Sequence, residues 1–321
     1  MEPAILGIDI AKRKFDVALL IADKMTVGKF DNEPTGFAKL ERWLEKYGVE
    51  RVHACLEATG TYGDALAEHL YHAGHVVSLV NPARIKGFGQ SELSRTKTDK
   101  ADAQLIARFC RVMRPEPWQP LAPEVKELQS LVRRLEALND MLDQERNRLE
   151  SAQGLVRDSI ERVIAHLQQE IKATRTLIRT HIDRHPDLRG KRDLLETIPG
   201  IGPGTSAMIL AEFGDVSRFQ DAGQMASFCG LTPRHRQSGS SVRGRSMISK
   251  TGSSRIRKAL FMPALTATRY NPVLAALRSR LKANGKHPMV IICAIMRKLI
   301  HLAYGVLKSG RPFDPSIATA A

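Results

Sequence analysis

With 321 residues, 43% of them hydrophobic, the chain buries enough apolar surface for two or three domains, which excludes a disordered polymer. Aromatics are only 5%, which excludes a surface built on stacked bases. The formal net charge is +15, and the excess lies between Asp221 and Asp314, where 17 Lys and Arg stand without one Asp or Glu, leaving 32 basic against 34 acidic residues elsewhere; such a stretch fits a polyanion, a nucleic acid backbone before a membrane surface.

The first strand is the apolar run from Ala4 to Ile10, with Asp9 near its end. Lys14 to Ala22 and Met25 to Phe30 give two more strands, and the short gaps predict an antiparallel meander. Phe37, Leu40 and Leu44 recur at helical spacing within Gly36 to Tyr47. Arg51 to Leu56 is a fourth strand with Glu57 at its exit. Ala65 to Ala73 is helical, and His75 to Val80 is a strand ended by Asn81-Pro82. A helix carrying Asp99 and Asp102 follows and runs to Met113. Of the histidines, His69, His72 and His75 read as surface residues rather than metal ligands.

Asp99 and Asp102 lie three residues apart, so they share one helical face and repel each other. Lys97 and Lys100 relieve part of that repulsion, and a divalent cation relieves more. Asp9 and Glu57 each end a buried strand, so the four carboxylates are expected to converge on one site for Mg2+ or Mn2+. Three strands, helix, strand, helix, strand, helix resembles the ribonuclease H fold, including the RuvC-like nucleases. In that fold acids on the first strand, the fourth strand and a later helix hold two metal ions, and two ions about 4 Å apart stabilise the attacking and leaving oxygens of phosphoryl transfer. Gly7-Ile8-Asp9-Ile10 also looks like the first phosphate segment of actin-like sugar kinases, but the glycines of their other loops are missing.

Pro115, Pro117, Pro120 and Pro123 make a stiff linker, so a RuvC-like domain is expected over residues 1–115. Leu128, Leu131, Leu135, Leu138, Leu142 and Leu149 then recur as a coiled-coil seam. A second helix carries Ile160, Val163, Leu167, Ile171, Ile178 and Ile182, with Gly154 near the break. These helices, with the linker, make up residues 116–188. They fold back as a hairpin or pair with another subunit, and an oligomer is expected because long helices need a partner for their apolar seam.

Residues 189–321 read as a mainly α domain. Its Ile198-Pro199-Gly200-Ile201-Gly202 looks like the turn of a helix-hairpin-helix, where small residues let a phosphate reach the backbone amides at Gly200 and Gly202. A tight turn between two core helices is the plainer reading. From Gly230 to Arg245, Ser238, Ser240 and Ser241 sit among Arg234, Arg236, Arg243 and Arg245 in a glycine-rich loop suited to phosphate. The same loop could present a serine nucleophile, with arginines stabilising charge on phosphorus oxygens. Cys55, Cys110, Cys229 and Cys293 show no metal spacing and read as reduced core residues. No basic-then-apolar signal opens the chain, and the apolar run from Pro288 to Met296 is too short for a bilayer, so a cytoplasmic protein without a membrane partner is expected.

The blocks as a whole resemble the DEDD transposases of bacterial insertion sequences, the RNA-guided enzymes also called bridge recombinases. The resemblance runs through G-I-D-I-A-K at Gly7 to Lys12, L-E-A-T-G-T-Y at Leu56 to Tyr62, N-P-A at Asn81 to Ala83 and K-T-D-K-A-D-A at Lys97 to Ala103. It continues through I-P-G-I-G, G-L-T-P at Gly230 to Pro233, S-G-S-S-V-R-G at Ser238 to Gly244 and L-K-S-G-x-P-F-D at Leu307 to Asp314. It implies that Asp9, Glu57, Asp99 and Asp102 bind metal and that Ser238 becomes linked to a DNA phosphate. It further implies donor and target DNA, a structured guide RNA, a dimer or tetramer whose subunits share active sites, and residence at the bacterial nucleoid. A metal-only nuclease such as a Holliday junction resolvase is the alternative, with water as nucleophile.

Overall fold

Strand β1 (Ala4–Ile10) pairs antiparallel with β2 (Lys14–Ile21), which pairs antiparallel with β3 (Lys24–Asp31). After α1 (Pro34–Lys46), strand β4 (Val52–Glu57) joins the other side of β1 in parallel; after α2 (Asp64–His72), β5 (Val76–Val80) joins β4 in parallel. The sheet order is therefore β3-β2-β1-β4-β5. The computed structural model describes residues 3–58, 60–92, 98–234, 237–238, 242–243, 247–249 and 251–316, and the chain divides into two units, Met1–Pro120 and Leu121–Ala321.

Period-two alternation gives the sheet of the first unit two apolar faces. Leu6, Ile8, Val17, Leu19, Ala54 and Leu56 pack with residues of α1 and α2 such as Phe37, Leu40, Leu66 and Leu70. On the opposite face Ile5, Ala18, Leu20 and Cys55 pack with α4 (Asp99–Met113) through Ala103, Ile106, Ala107 and Cys110. Between β5 and α4 lies α3 (Pro82–Ser91), which the sequence reading did not anticipate. Asn81-Pro82 ends the strand and also starts a helix: the Asn81 side chain accepts from the Ala83 N–H at 2.8 Å and Pro82 takes the first turn. The proline linker lies along β5, where the Trp118 N–H donates to the Val77 carbonyl at 2.6 Å and Ser78 Oγ donates to the Glu116 carbonyl at 2.8 Å.

His75 corrects the expectation of surface histidines. It is buried, its Nδ1 accepts from the Val52 N–H at 3.4 Å, and its Nε2 lies 3.1 Å from Glu41 Oε2. His69 Nε2 lies 3.3 Å from the other Glu41 oxygen. Burial pushes the Glu41 carboxyl up, but His75 and His69 outweigh it and hold its pKa below the ordinary value.

In the second unit α5 (Pro123–Leu149) and α6 (Gly154–Arg184) fold back on each other as an antiparallel hairpin. Leu138 and Leu142 of α5 meet Leu167 and Ile171 of α6, while His181 Nε2 donates to the Glu124 carbonyl at 2.8 Å near the open end. The seam deviates at one place from the expected register: Ile164, not Val163, packs inward, and Val163 is exposed. Beyond the hairpin come α7 (Pro186–Glu196), α8 (Pro203–Phe213), α9 (Ala222–Phe228), α10 (Ser254–Tyr270), α11 (Pro272–Ala283) and α12 (Pro288–Ser309). One core holds Leu128 and Ile178 of the hairpin together with Leu195, Ile209, Leu260 and Leu299. By length and composition α12 is apolar enough to cross a membrane, yet Ile295, Leu299, Ile300 and Ala303 lie in this core.

Candidate active site

Gly7 positions the acids. It lies on the β1 face covered by α4, and a Cβ there would stand 2.3 Å from both the Ala103 carbonyl oxygen and the Ala107 nitrogen. The helix therefore crosses the strand at a point where only glycine fits. Asp9 is two residues further along the same face, and Asp99 and Asp102 occupy the first turn of α4, just before the crossing. Glu57 ends β4; the parallel register pairs Ile8 with Leu56, so Asp9 and Glu57 come next on adjacent strands. The Thr98 side chain starts α4 by accepting from the Ala101 N–H at 3.2 Å. We expect Gly7→Ala to destabilise the protein by about 3 kcal/mol, since the methyl meets backbone atoms that cannot swing away; an unchanged urea midpoint would refute this close crossing.

The electrostatics agree with the geometry. Burial, then the charges of Asp102, Asp99, Glu57 and Asp16, raise the Asp9 pKa from 3.8 to about 6. Burial and Asp102 raise Glu57 as well. Among the described residues no three His, Cys, Asp or Glu side chains are gathered tightly enough to count as a metal site. The donor set nonetheless fits a hard divalent cation: all oxygen, all anionic, and mutually repelling. Two further residues belong to the constellation and were missed from the sequence. Asp16 faces Asp9 across β1 and β2, and Lys29 faces Asp16 across β2 and β3. The alternation of Lys14 to Ala22 was the available signal, but choosing the face required the register.

In the second unit the described residues of the serine segment form a ribbon of two short antiparallel strand pairs. Strands β6 (Pro233–Arg234) and β9 (Met247–Ile248) pair at its base, and β7 (Gln237–Ser238) pairs with β8 (Val242–Arg243). Ser238 sits opposite Val242 in that ladder. Arg234 and Arg243 lie on its strands; Arg236, Ser240, Ser241 and Arg245 lie outside the described residues, as do Thr96 and Lys97. Arg257 anchors the ribbon's root by donating to the carbonyls of Cys229 at 2.9 Å and Gly252 at 3.2 Å.

At the turn between α7 and α8, Gly200 has φ +106° and its missing side chain is explained by α10: a Cβ would stand 2.5 Å from Ala267 Cβ. Gly202 and Gly204 face open space instead. Beside them a cleft of about 840 Å³ is lined by Lys172, Arg175 and Arg179 of α6 and by Arg192, Pro203 and Gly204. Arg192 is already committed to Asp183 and Asp193.

The basic segment is partly neutralised from elsewhere in its own unit. Arg255 Nε donates to Glu136 at 2.9 Å, and Lys258 Nζ donates to Asp140 at 2.8 Å. By contrast Arg278, Arg280, Lys282 and Lys286, at the α11–α12 corner, are exposed and have no ion pair among the described residues.

Comparisons with known proteins bear on both units. A model of IS110-type DEDD transposases matches residues 6–153, and one described as the transposase IS116/IS110/IS902 family matches residues 192–278. The chain is similar to the pilin gene-inverting protein of Moraxella bovis, 38% identical over 321 residues that cover 99% of each chain. Its counterpart in Moraxella lacunata is equally similar, at 38% over the same span. The transposase for insertion sequence element IS1328 of Yersinia enterocolitica is 25% identical over 356 residues, covering 97% of this chain and 98% of that one.

Proposed function

This chain belongs to the IS116/IS110/IS902 family of DNA transposases, and we propose that it exchanges DNA strands through a covalent serine–DNA linkage at a site completed by an acidic metal centre. The observation that carries the reading is geometric: Asp9 and Glu57 stand side by side on adjacent strands, on the sheet face covered by the helix whose first turn holds Asp99 and Asp102, and this crowding, after burial, raises the Asp9 pKa. A protein keeps such repulsion where a cation relieves it. Asp9, Glu57, Asp99 and Asp102 would hold Mg2+ or Mn2+, which when bound supplies Lewis-acid stabilisation of charge on the phosphate oxygens.

The rest of the chemistry falls to this chain's residues. The Ser238 hydroxyl attacks a DNA phosphorus; the Oγ–P bond forms as a P–O bond of the strand breaks, and the departing DNA oxygen takes up a proton as the serine loses one. A hydroxyl of a second DNA end then attacks the seryl phosphodiester, restoring the strand and releasing the serine. Arg234, Arg236, Arg243 and Arg245, which flank Ser238 in the sequence, neutralise the phosphate, and the open Gly202 side of the hairpin turn holds backbone further along. We keep residues 1–115 as the RuvC-like metal-binding part, 116–188 as the coiled-coil part and 189–321 as the serine-bearing part with its helix-hairpin-helix, joined in a homodimer or homotetramer. A structured guide RNA supplies the choice of DNA site, consistent with so few aromatic residues for stacking on single strands. Such exchange accounts for insertion and for inversion alike, which suits relatives named for transposition and for pilin gene inversion.

The deciding experiment incubates the protein with end-labelled DNA, guide RNA and Mg2+, then denatures it. Label that migrates with protein supports the serine linkage; cleaved but protein-free DNA supports the resolvase-like alternative.

The α11–α12 corner extends the nucleic acid surface. Replacing Arg278, Arg280, Lys282 and Lys286 together by Gln is expected to lower the slope of log affinity on log salt for duplex DNA by up to about 3.6, near 0.9 per lost phosphate contact. Fluorescence anisotropy across a sodium chloride series measures it, and an unaltered slope would exclude the corner from the interface.

A further inference from the structure

Asp9, Asp16 and Lys29 form one row across β1, β2 and β3, each directly opposite the next. Ile5 and Cys55, Ala18 and Leu20, and Met25 and Val27 fix the parity of the strands, so this row and Glu57 lie on the face that α4 covers. Lys29 Nζ stands 2.9 Å from Asp16 Oδ2 and 3.7 Å from Asp99 Oδ2. One ammonium thus ties the sheet row to the first turn of α4.

The two contacts are unequal. Asp16 is the closer partner and only 14% of its side chain is exposed, whereas Asp99 is farther away and 71% exposed. The lysine side chain is itself half exposed and free to pivot about the nearer anchor.

We propose that Lys29 is a resident competitor for the acidic site: its ammonium occupies Asp99, stays anchored on Asp16, and must release Asp99 before a divalent cation binds there. The proposal rests on the metal reading of Asp9, Glu57, Asp99 and Asp102. Its physical basis is simple. Lys29 offsets part of the mutual repulsion of the acids, and it repels an arriving ion for the same reason. An ammonium about 6 Å from a divalent ion weakens binding by about tenfold even with full water screening. Lys29 thereby sets a threshold concentration for metal loading, and any phosphate that draws the ammonium away lowers that threshold.

The test is titration of the full chain with Mn2+, following free ion by electron paramagnetic resonance and bound ion by calorimetry. Lys29→Gln is expected to bind Mn2+ about tenfold more tightly than wild type, and Lys29→Arg, which keeps the charge, to bind it as wild type does. Lys29→Ala, a trimming of a half-exposed side chain, gives the same readout if the Gln variant does not fold. Equal or weaker binding by the folded charge-removing variants overturns the role of Lys29 while leaving the metal reading intact. Absence of Mn2+ binding in wild type and variants alike overturns the metal reading and this proposal with it.

Discussion

Asp9→Asn is expected to lower DNA strand cleavage by at least about a thousandfold and, in EDTA at pH 7, to make the protein more stable than wild type. The first effect follows from removing the carboxylate at the centre of the proposed site, since Lewis-acid stabilisation of a phosphoryl transition state is worth several kcal/mol, or about 4 for a thousandfold. The second follows from the sign of the Asp9 shift. Its folded pKa, about 6, lies above the ordinary 3.8. The stability that the protonated form contributes is complete below 3.8 and is lost as pH rises through 6. At pH 7 the carboxylate is ionised against its neighbours, and asparagine removes that cost. The full shift overstates the energy because Asp9 is only partly shielded from water, so the gain is discounted to about 1 kcal/mol, or about 4 °C in Tm for a unit of this size. Mn2+ added at pH 7 should raise the Tm of wild type and leave that of Asp9→Asn unchanged. A less stable Asn variant in EDTA, or one still stabilised by Mn2+, would separate Asp9 from any metal site.

What was legible in the sequence divides along the range of the interactions. Strands β1 to β5 announce themselves because apolar runs are local, and the short gaps give the meander of the first three, whereas the place of β4 beside β1 depends on tertiary pairing. Asp9 and Glu57 were found because each stands near the end of such a run, and Asp99 and Asp102 because their spacing is helical. The remainder depends on partners far away in the chain. Asp16 and Lys29 look like ordinary solvated residues until the register sets them opposite Asp9 and beside Asp99. His75 looks like a surface histidine until Glu41 and Val52 surround it. The acid-free segment looks uniformly available to phosphate, but α5 claims Arg255 and Lys258 through Glu136 and Asp140. Gly200 suits phosphate access by its residue type, and only the fold shows that its absent side chain also makes room for Ala267. In each case the sequence states the residue type, and the tertiary neighbour decides its role.

Ser238→Ala is expected to abolish the denaturation-resistant protein–DNA species and to lower strand joining by at least about ten-thousandfold, while duplex affinity stays within about twofold. Removing an attacking hydroxyl leaves binding and electrostatic stabilisation in place but deletes the covalent route, and losses of this size follow when a nucleophile acts as part of one constellation. The substitution should not unfold the segment, because Ser238 contributes its backbone to the β7–β8 ladder and alanine keeps that backbone. The choice of Ser238 over Ser240 and Ser241 rests on family resemblance, so the three single alanine variants belong in one experiment. An adduct lost only in Ser238→Ala supports the assignment; one lost only in Ser240→Ala or Ser241→Ala moves it to that serine. An adduct that persists in all three variants requires another side chain as nucleophile. Cleavage that persists in all three, with no adduct even in wild type, leaves water as the attacking group, and then the arginines of the ribbon serve to hold phosphate while the acids of the sheet and of α4 carry the chemistry alone.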